Sequence, residues 1–371
     1  MNRILTIGGA TKDIFITYQK AQMLDLRLNE GRRSFLIFED GKKVEIEALE
    51  YHTGGGATNT AVGFSRLGHK VSSFFKIGHD QEGVYVLKSL QSNNVDTSHV
   101  IVTDEISTAT SFIIPTAEGD RVVLVYRGAN LSIAEKEIPL AAIKETDLVY
   151  ITSLSGLASD LLLPIVKVAK EYNKLVAVNP GTSQLTTGSN ILCESLAYID
   201  ILILNSSEAC CCMAALVQED RKLQIKMLAV QEKLQACHMP ELMQAPLNHH
   251  GLCFGLQTFF QEVHERGPKI IIVTNGHEGV YVWHKDSIFF HPSLSVPVVS
   301  SLGAGDAFGS GFVGMYAQGF SVQDSIRAGM LNSASVIGHI GAKTGLLNKD
   351  EMDKRLKALV KEMLQEYPLS K

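Results

Sequence analysis

The feature that most constrains the fold is a regular alternation of short apolar strands with helices in the second half of the chain. One helix is predicted from Ala158 to Tyr172, where apolar residues recur at helical spacing. Strands that alternate with helices in this way predict a mostly parallel central sheet with helices on both faces, a Rossmann-like α/β fold. The predicted strands are Ile4 to Ile7, Val71 to Ile77, Leu148 to Ile151, Leu175 to Val178, Ile201 to Leu204 and Ile270 to Thr274.

Two predicted β-hairpins interrupt this pattern. The first joins Phe35 to Phe38 with Val44 to Glu47 around an Asp-Gly turn, and the second joins Thr108 to Pro115 with Arg121 to Tyr126. Because a two-stranded hairpin is only marginally stable alone, we expect both to pair into one small antiparallel sheet that covers the main domain as a lid. The predicted extent of the lid is about residues 14–50 and 108–127.

The whole chain, residues 1–371, is predicted to form one domain with a helical insertion at about residues 217–266. The insertion is polar and shows no strand pattern, and its apolar positions are too few to build an independent core. Three helices are predicted after the last strands. They run to Gln318, from Val322 toward Gly338, and from Lys349 to Gln365.

Charge and composition exclude several functional classes. The formal net charge of -5 argues against nucleic-acid binding through a basic surface. No apolar segment is long enough to span a membrane and no signal peptide is recognisable, so we expect a cytoplasmic protein without a membrane partner. The six cysteines show no paired spacing, which favours free thiols. A metal site made of Cys237, His238, His249, His250 and Cys253 would fit no standard zinc spacing.

The segment Ser300 to Gly314 combines a Gly-Ala-Gly turn with a carboxylate at the start of a predicted helix. The unpaired N–H groups of that helix N-terminus form an anion site, and Gly303 and Gly305 have no side chains to block a ligand. Asp306 lies in the same first turn. It is either a general base beside a phosphate or an acidic residue that stabilises the helix end, and the turn alone leaves both interpretations open.

Two other polar groups are expected near a ligand. Asp13 follows the first strand, at the edge where open α/β sheets bind ligands, although a solvated turn aspartate is the alternative. The glycine run Gly54 to Gly56 opens a predicted helix in which Asn59 offers both a donor and an acceptor. These glycines either let the backbone approach a polar ligand closely or form a flexible turn.

Together, these residues resemble the PfkB, or ribokinase-like, family of carbohydrate and nucleoside kinases over nearly the whole chain. The segment Gly54 to Val62 is similar to the first signature of the family, and Gly303 to Phe308 is similar to the second. Between them, Asn205 to Glu208 looks like the Asn-x-x-Glu motif of the family. The segment Thr274 to Gly279 looks like its nucleotide loop.

The resemblance implies transfer of the γ-phosphate of ATP to a primary hydroxyl group. Asp306 would take the hydroxyl proton, and the amides of Gly303, Ala304 and Gly305 would form the anion hole. The implied sugar-binding residues are Asp13, Gly55, Gly56 and Asn59. The implied nucleotide-binding residues are Asn205, Glu208, Thr274, Gly276, Gly279 and Asn332, with Glu208 on Mg²⁺ through water and Asn332 near the adenine.

The chain departs from the family pattern just before the second signature. Several members carry an aspartate there that contributes to a monovalent-cation site, whereas this chain has Ser300, Ser301 and Leu302. Fewer oxygen ligands are then available, so activation by potassium is in doubt. The insertion at residues 217–266 also has no obvious equivalent in the family.

Three other classes fit the sequence less well. A dinucleotide oxidoreductase would need a Gly-x-Gly-x-x-Gly turn followed by a strand that ends in an acidic residue, and this chain continues with helices. A Walker-type kinase would need a Gly-x-x-x-x-Gly-Lys-Ser/Thr run, which is absent from the sequence. A non-catalytic sugar or nucleoside sensor is disfavoured because Asp306 and its anion turn are retained together with Asn205 and Glu208.

The acceptor is weakly specified, because ribose, fructose, a sugar acid and a nucleoside all fit a pocket with Asp13 and Asn59. We favour a neutral, ribose- or fructose-like sugar, with an adenosine-like nucleoside as the alternative. Arg127 is either a partner for an acidic substrate or a solvated turn residue. The resemblance also implies a homodimer formed through the lid, with Phe35, Ile37 and Phe112 as the expected contacts.

Overall fold

In the computed structural model, the predicted strands lie side by side in one large sheet, with one correction. The strand predicted from Val71 to Ile77 is divided: Lys70–Phe74 belongs to the large sheet, whereas Lys76–Gly78 pairs with Ile101–Thr103 in a separate sheet. The structure describes residues 2–18, 22–28, 31–116, 121–224, 239–249, 251–359 and 363–369. Within these residues the sheet has ten strands, of which seven pair in parallel and the last three pair antiparallel. In spatial order they are Val95–Asp96, Lys70–Phe74, Arg3–Ile7, Leu148–Ile151, Leu175–Val178, Ile201–Asn205, Ile270–Asn275, Gly279–His284, Ser287–Pro292 and Gln365–Pro368.

Both faces of this sheet are buried under helices, which confirms the predicted α/β architecture. Successive side chains of a strand point to opposite faces. Accordingly, Val149 and Ile151 belong to one apolar cluster, while Leu148 and Tyr150 belong to the other. The helices of the described residues are Gly56–Arg66, Gln81–Ser92, Leu140–Glu145, Leu162–Glu171, Thr182–Leu185, Ser189–Ser195, Ser206–Glu219, Glu241–Gln244, Leu256–His264, Ala304–Ala317, Val322–Ile337 and Lys349–Ala358. None of these helices has the length and apolar character needed to cross a membrane.

A second, four-stranded sheet contains the second predicted hairpin. Thr110–Pro115 pairs antiparallel with Arg121–Tyr126, as expected. The other two strands, Thr11–Thr17 and Ala48–Gly54, also pair antiparallel. The two pairs are joined by parallel pairing of Thr11–Thr17 with Thr110–Pro115, so the lid is a mixed sheet.

The prediction for the first hairpin was wrong. Residues 35–38 and 44–47 do not pair with each other. Instead, Gln22–Leu28 pairs with Gly31–Ile37 over seven residue pairs to form a separate two-stranded sheet. The Asp-Gly step is a turn, closed by a 3.4 Å bond from Lys42 N–H to the Glu39 carbonyl oxygen. The longer ladder satisfies more backbone groups than four flanking pairs could, which explains why the turn signal alone misled.

The insertion is not purely helical, which corrects the expectation for residues 217–266. Leu247–His249 and Leu252–Phe254 form a short antiparallel hairpin. Leu247 and Phe254 are buried in one of the two main clusters, so this segment adds to the common core. Residues 225–238 lie outside the described part of the chain.

The last helix is shorter than predicted. It ends at Ala358, and Gln365–Pro368 is an edge strand that pairs with Ser287–Pro292.

Cys237, His238 and His250 of the candidate metal site lie outside the described residues. Within the described residues, no group of three metal-ligating side chains is found.

Helix Ala304–Ala317 packs on the sheet through Gly309. A Cβ atom at Gly309 would overlap the Tyr150 hydroxyl and lie 3.2 Å from its Cζ atom. Tyr150 is fully buried, and among the described residues its hydroxyl has no hydrogen-bond partner. Glycine at position 309 is therefore required by packing against one specific phenol.

We predict that Gly309→Ala lowers the free energy of unfolding by about 1 to 3 kcal/mol, because the added methyl overpacks the interface. Tyr150→Phe removes the overlapping oxygen, so in that background the same substitution should cost at least about 1 kcal/mol less. Denaturant unfolding of the four proteins measures this coupling. An equal cost in both backgrounds would contradict the packing explanation.

Candidate active site

The second glycine motif forms a tight turn that opens into helix Ala304–Ala317. Gly303 caps this helix with a φ of 79°, the left-handed conformation that favours glycine. A Cβ atom at Gly303 would lie 2.7 Å from Ala342 Cα, whereas nothing lies within 4 Å of a Cβ placed on Gly305. The turn is therefore closed on the side of Ala342 and open above Gly305. The first amide groups of a helix have no intrahelical acceptor, so this open space is a candidate anion site.

Asp306 and Asn59 meet across the two signature motifs. Asn59 Nδ2 donates to Asp306 Oδ2 at 2.8 Å, although the two residues are far apart in sequence. Burial raises the pKa of Asp306, while the bond from Asn59 and the nearby Lys343 lower it and Asp13 raises it further. The structure thus brings Asp306, the predicted base, into contact with Asn59. The charged groups of Asp13 and Lys343 lie near enough to affect its pKa.

Asp13 lies within the lid strand Thr11–Thr17 rather than in a loop, which corrects its expected setting. Its side chain is only 5% exposed, and Oδ1 accepts a bond from Thr11 Oγ1 at 2.9 Å. Burial raises its pKa. A side chain on Gly54 would overlap this carboxylate, and one on Gly55, where φ is 90°, would overlap the Gly9 carbonyl. The first glycine motif is therefore shaped around Asp13 and the first strand.

A lysine that sequence reasoning missed lies close enough to interact electrostatically with both Asp13 and Asp306. Lys343 Nζ is 2.8 Å from each of three oxygens, the Thr53 carbonyl, Thr53 Oγ1 and Thr58 Oγ1. Burial lowers its pKa to about 7, against the opposing effect of Asp13 and Asp306. In the sequence it is one lysine in a Gly-Ala-Lys-Thr-Gly loop, and only the fold shows that the loop reaches the pocket.

Asn205 and Glu208 form a reciprocal cap at the start of helix Ser206–Glu219. Asn205 Oδ1 accepts from Glu208 N–H, and Glu208 Oε2 accepts from Asn205 N–H, both at 2.8 Å. Burial raises the pKa of Glu208, and the Asp306 carboxylate raises it further. Mg²⁺ prefers carboxylate oxygens as ligands, so Glu208 is a candidate to hold this ion.

The predicted nucleotide loop follows strand Ile270–Asn275, whose last two residues include Thr274. Nothing lies within 4 Å of a Cβ placed on Gly276, so this position is open to a ligand. Gly279 has a φ of 140°, and a side chain there would lie 2.9 Å from Pro292 Cα, so its glycine is explained by strand packing. Glu278 secures the loop by accepting a 2.7 Å bond from Asn275.

Asn332 does not occupy the position expected of an adenine contact. It is fully buried, its Nδ2 donates to the Ala307 carbonyl at 2.8 Å, and its Oδ1 accepts from Leu347 N–H at 3.0 Å. Both ends of its amide are thus used within the protein. Asn332 ties helix Val322–Ile337 to the anion helix, and we correct its assignment from ligand contact to structural link.

Comparison with known proteins agrees with this geometry. The family model described as "pfkB family carbohydrate kinase" matches residues 22–236 and 256–349, which is most of the chain. The chain therefore belongs to the pfkB family of carbohydrate kinases, and it is an enzyme of the ATP-dependent sugar kinase class. Residues 237–255, which include the short hairpin of the insertion, are left unmatched.

Relatives with different acceptors are similarly distant. An ATP-dependent ribose-1-phosphate kinase of Halopiger xanaduensis is 24% identical and covers 82% of this chain and 86% of its own. A nucleoside kinase of Methanothermobacter thermautotrophicus is 22% identical, covering 86% and 89%. The solved structure of Arabidopsis thaliana ribokinase complexed with ribose and ATP has a TM-score of 0.73 at 16% identity, covering 96% of this chain and 99% of that one. This last likeness confirms the fold.

The open space above Gly305 allows function to be separated from stability. We predict that Gly305→Ala keeps or slightly raises the free energy of unfolding, since alanine is favoured over glycine in a helix by up to about 1 kcal/mol. The new methyl group would occupy the anion cradle, so ATP-dependent turnover should fall about 10- to 1000-fold.

Thermal unfolding and steady-state kinetics on the same preparations measure both effects. Gly338→Ala is the matched control, because a Cβ there makes only ordinary contacts, the nearest at 3.7 Å. It should keep wild-type turnover. Full activity in Gly305→Ala would show that no phosphate passes above this residue.

Proposed function

We propose that the protein transfers the γ-phosphate of ATP to a primary hydroxyl group of a small neutral sugar of the ribose or fructose type. The observation that carries the proposal is the position of Asp306. Its carboxylate is held by Asn59 at the N-terminus of helix Ala304–Ala317, directly beside the open glycine turn. A base next to an anion cradle is what direct phosphoryl transfer to an alcohol requires.

In the proposed reaction, Asp306 accepts the proton of the acceptor hydroxyl as the oxygen forms a bond to the γ-phosphorus. The bond from phosphorus to the β-γ bridging oxygen breaks, and ADP leaves with its electron pair. Burial raises the pKa of Asp306, which makes the carboxylate a stronger base, while the hydrogen bond from Asn59 opposes this rise. Proton transfer and phosphoryl transfer therefore meet at one atom of the acceptor.

The anion hole is assigned to the amides of Gly303, Ala304 and Gly305. The Ala304 N–H makes only a long 3.3 Å contact with the Ser301 carbonyl, and the space above Gly305 is open. Glu208 would hold a hydrated Mg²⁺ through water, and the ion would supply charge neutralisation on the phosphates. Thr274 and Gly276 are assigned to the nucleotide, and Asp13, Gly55 and Gly56 to the sugar.

A neutral acceptor is supported by the charges in the pocket. Asp13 and Asp306 are two carboxylates that interact with each other, and a third negative group between them would be repelled. Arg127, the residue considered as a partner for an acidic substrate, donates instead to Ser155 Oγ at 2.9 Å. An adenosine-like nucleoside, whose ribose presents the same hydroxyl groups, is the second candidate acceptor, and the nucleoside kinase relative favours it.

Independence from potassium is also proposed. Ser300 Oγ accepts from Leu302 N–H at 3.3 Å, and Ser301 Oγ accepts from the guanidinium of Arg121. Both hydroxyl groups that stand where relatives carry cation ligands are thus already used. Replacing potassium by tetramethylammonium should leave turnover unchanged. A reaction that consumes ATP also agrees with the cytoplasmic location expected from the sequence.

The test is turnover of ATP with ribose, fructose, a sugar acid and adenosine as acceptors, in wild type and in Asp306→Asn. We expect the substitution to lower kcat by at least about 100-fold while nucleotide binding stays within a few-fold, because the amide cannot take a proton. Asp324→Asn is the matched control, since Asp324 is an acidic residue in the first turn of the next helix.

The panel separates the alternatives. Turnover of adenosine without turnover of free sugars would assign the nucleoside, and binding of an acceptor without any turnover would assign a sensor. More than about a tenth of wild-type kcat in Asp306→Asn would exclude Asp306 as the base.

We also propose a homodimer formed through the lid. Leu124, Phe112, Ile14 and Tyr51 are aligned across the four strands on one face. The aromatic and leucine members of this row are 40 to 56% exposed, which is unusual for one contiguous apolar row. This exposed row supports Phe112 as a contact in the proposed interface. Phe35 and Ile37 are also exposed, but they lie on the separate hairpin.

Sedimentation at micromolar concentration should show a dimer, and Phe112→Glu should shift it toward monomer by placing a charge in the interface. Leu157→Glu is the control, because Leu157 is 77% exposed and lies outside the lid. A monomeric wild type would remove the dimer from the proposal without affecting the assignment of Asp306.

A further inference from the structure

The side chain of Glu278 joins the insertion to the predicted nucleotide loop, Thr274 to Gly279. Its Oε1 accepts a bond from the N–H of Glu241, in the insertion, at 2.5 Å. Its Oε2 accepts from Asn275 Nδ2, in the loop, at 2.7 Å. Glu241 and Glu278 are 37 residues apart in sequence. One carboxylate therefore holds together two segments that are separate along the chain.

Tyr281 extends the same junction. Its hydroxyl donates to Glu278 Oε1 at 2.5 Å and accepts from Leu242 N–H at 3.1 Å. Tyr281 is fully buried in strand Gly279–His284, and Leu242 is 9% exposed, so the bond between them is shielded from water. The amides of Glu241 and Leu242 thus end on one linked tyrosine–glutamate pair, which fixes the insertion against the main sheet.

The insertion also packs on the other element assigned to ATP. Strand Leu247–His249 packs on helix Ser206–Glu219, whose first turn carries Glu208. Leu247 is buried in the same apolar cluster as Met213 of that helix. The insertion is therefore held by backbone and side-chain hydrogen bonds at the nucleotide loop and by apolar packing at the helix of the Asn-x-x-Glu motif.

Residues 239–249 and 251–254, which we call the docked segment, thus bridge two elements assigned to ATP. The family model leaves residues 237–255 unmatched, so this bridge is a feature of this chain and not of the family pattern. The loop is open at Gly276, where φ is 50° and no atom of the described residues lies within 4 Å of a placed Cβ. Glu278 anchors the loop while Gly276 stays open to a ligand.

From these contacts we propose that the docked segment holds the nucleotide loop in the shape that binds ATP, with Glu278 as the positioning residue. The inference rests on the proposed assignment of Thr274 and Gly276 to the nucleotide. A loop that is ordered in advance takes little of the binding energy, whereas a loop released from Glu241 must be ordered by the nucleotide itself. Docking of the insertion therefore sets the affinity for ATP and leaves the acceptor and the chemical step unchanged.

The first test changes the insertion and leaves the loop sequence intact. Glu241→Pro removes the N–H from which Glu278 accepts. Proline suits this position, because it is the first of helix Glu241–Gln244 and follows a residue whose ψ is 153°. Lys349→Pro is the matched control, since Lys349 also opens a helix after an extended residue, whose ψ is 174°.

Two further variants break the junction from the side of the main sheet. Glu278→Gln leaves one side-chain oxygen where two accept bonds, and Tyr281→Phe removes the hydroxyl that joins Leu242 to Glu278. Glu366→Gln is the control, an exposed carboxylate on the edge strand that accepts from Ser287 Oγ at 2.8 Å.

Calorimetric titration with ADP measures nucleotide affinity without turnover, and steady-state kinetics separate the two substrates. In Glu241→Pro, Glu278→Gln and Tyr281→Phe we expect the Kd for ADP and the KM for ATP to rise about 5- to 50-fold, because the loop is no longer ordered before binding. The KM for the acceptor, and kcat at saturating ATP, should stay within about threefold of wild type. Both control variants should match wild type throughout.

Unchanged ADP affinity in folded Glu241→Pro and Tyr281→Phe would overturn the inference. Equal losses for ATP and acceptor would overturn it as well, because they indicate a general structural defect. A wild type that does not bind ADP would remove the nucleotide assignment of Thr274 and Gly276, and the inference with it. Weakened ADP binding in the variants, with no turnover of any tested acceptor by wild type, would instead overturn the proposed function and keep the inference.

Discussion

Helix Gly56–Arg66 packs directly on helix Ala304–Ala317, and the position of each polar group in the site depends on that contact. A Cβ atom at Gly63 would lie 2.7 Å from Ser310 Cβ, so the helices touch without an intervening side chain. Both helices start at the same edge of the sheet. Their close approach is what allows Asn59 to reach Asp306 at 2.8 Å. A larger residue in place of Gly63 would push the two helices apart. Asn59 would then move away from Asp306 and the anion turn before either helix itself was disturbed.

The parts of the fold that sequence predicted are those with a strong local signal. The apolar runs at residues 148–151 and 201–204 are buried on both faces, so composition alone marks them as central strands. The hairpin at residues 110–126 was also found, because its strands flank its turn directly. The hairpin around Asp40 and Gly41 was misplaced, since a turn signal does not reveal which neighbouring segment offers the longer ladder.

The residues of the site also differ in whether the local sequence identifies them. Asp306, Asn59 and Glu208 stand in motifs whose spacing is readable, whereas Lys343 reaches the pocket from the far end of the chain. Glu208 also shows why a motif does not assign a role. Its bond to Asn205 N–H is an ordinary helix cap, and its interaction with Asp306 is an active-site feature, yet both arise from one side chain. Asn332 is the reverse case: the family resemblance implied a contact with adenine, but the residue is buried and both ends of its amide bond within the protein.

Two consecutive residues of strand Thr11–Thr17 point to opposite faces of the small sheet. Asp13 is buried on the pocket side, in register with Ser111 and His52, and Ile14 stands in the apolar row on the other side with Phe112 and Tyr51. Because Asp13 and Ile14 are joined by one peptide bond, a movement of the strand that shifts one of these side chains also shifts the other. Under the proposed function, Asp13 binds the acceptor. A substitution in the outer apolar row that moves the strand would then also move the Asp13 carboxylate, so changes on the outer surface would alter acceptor selectivity.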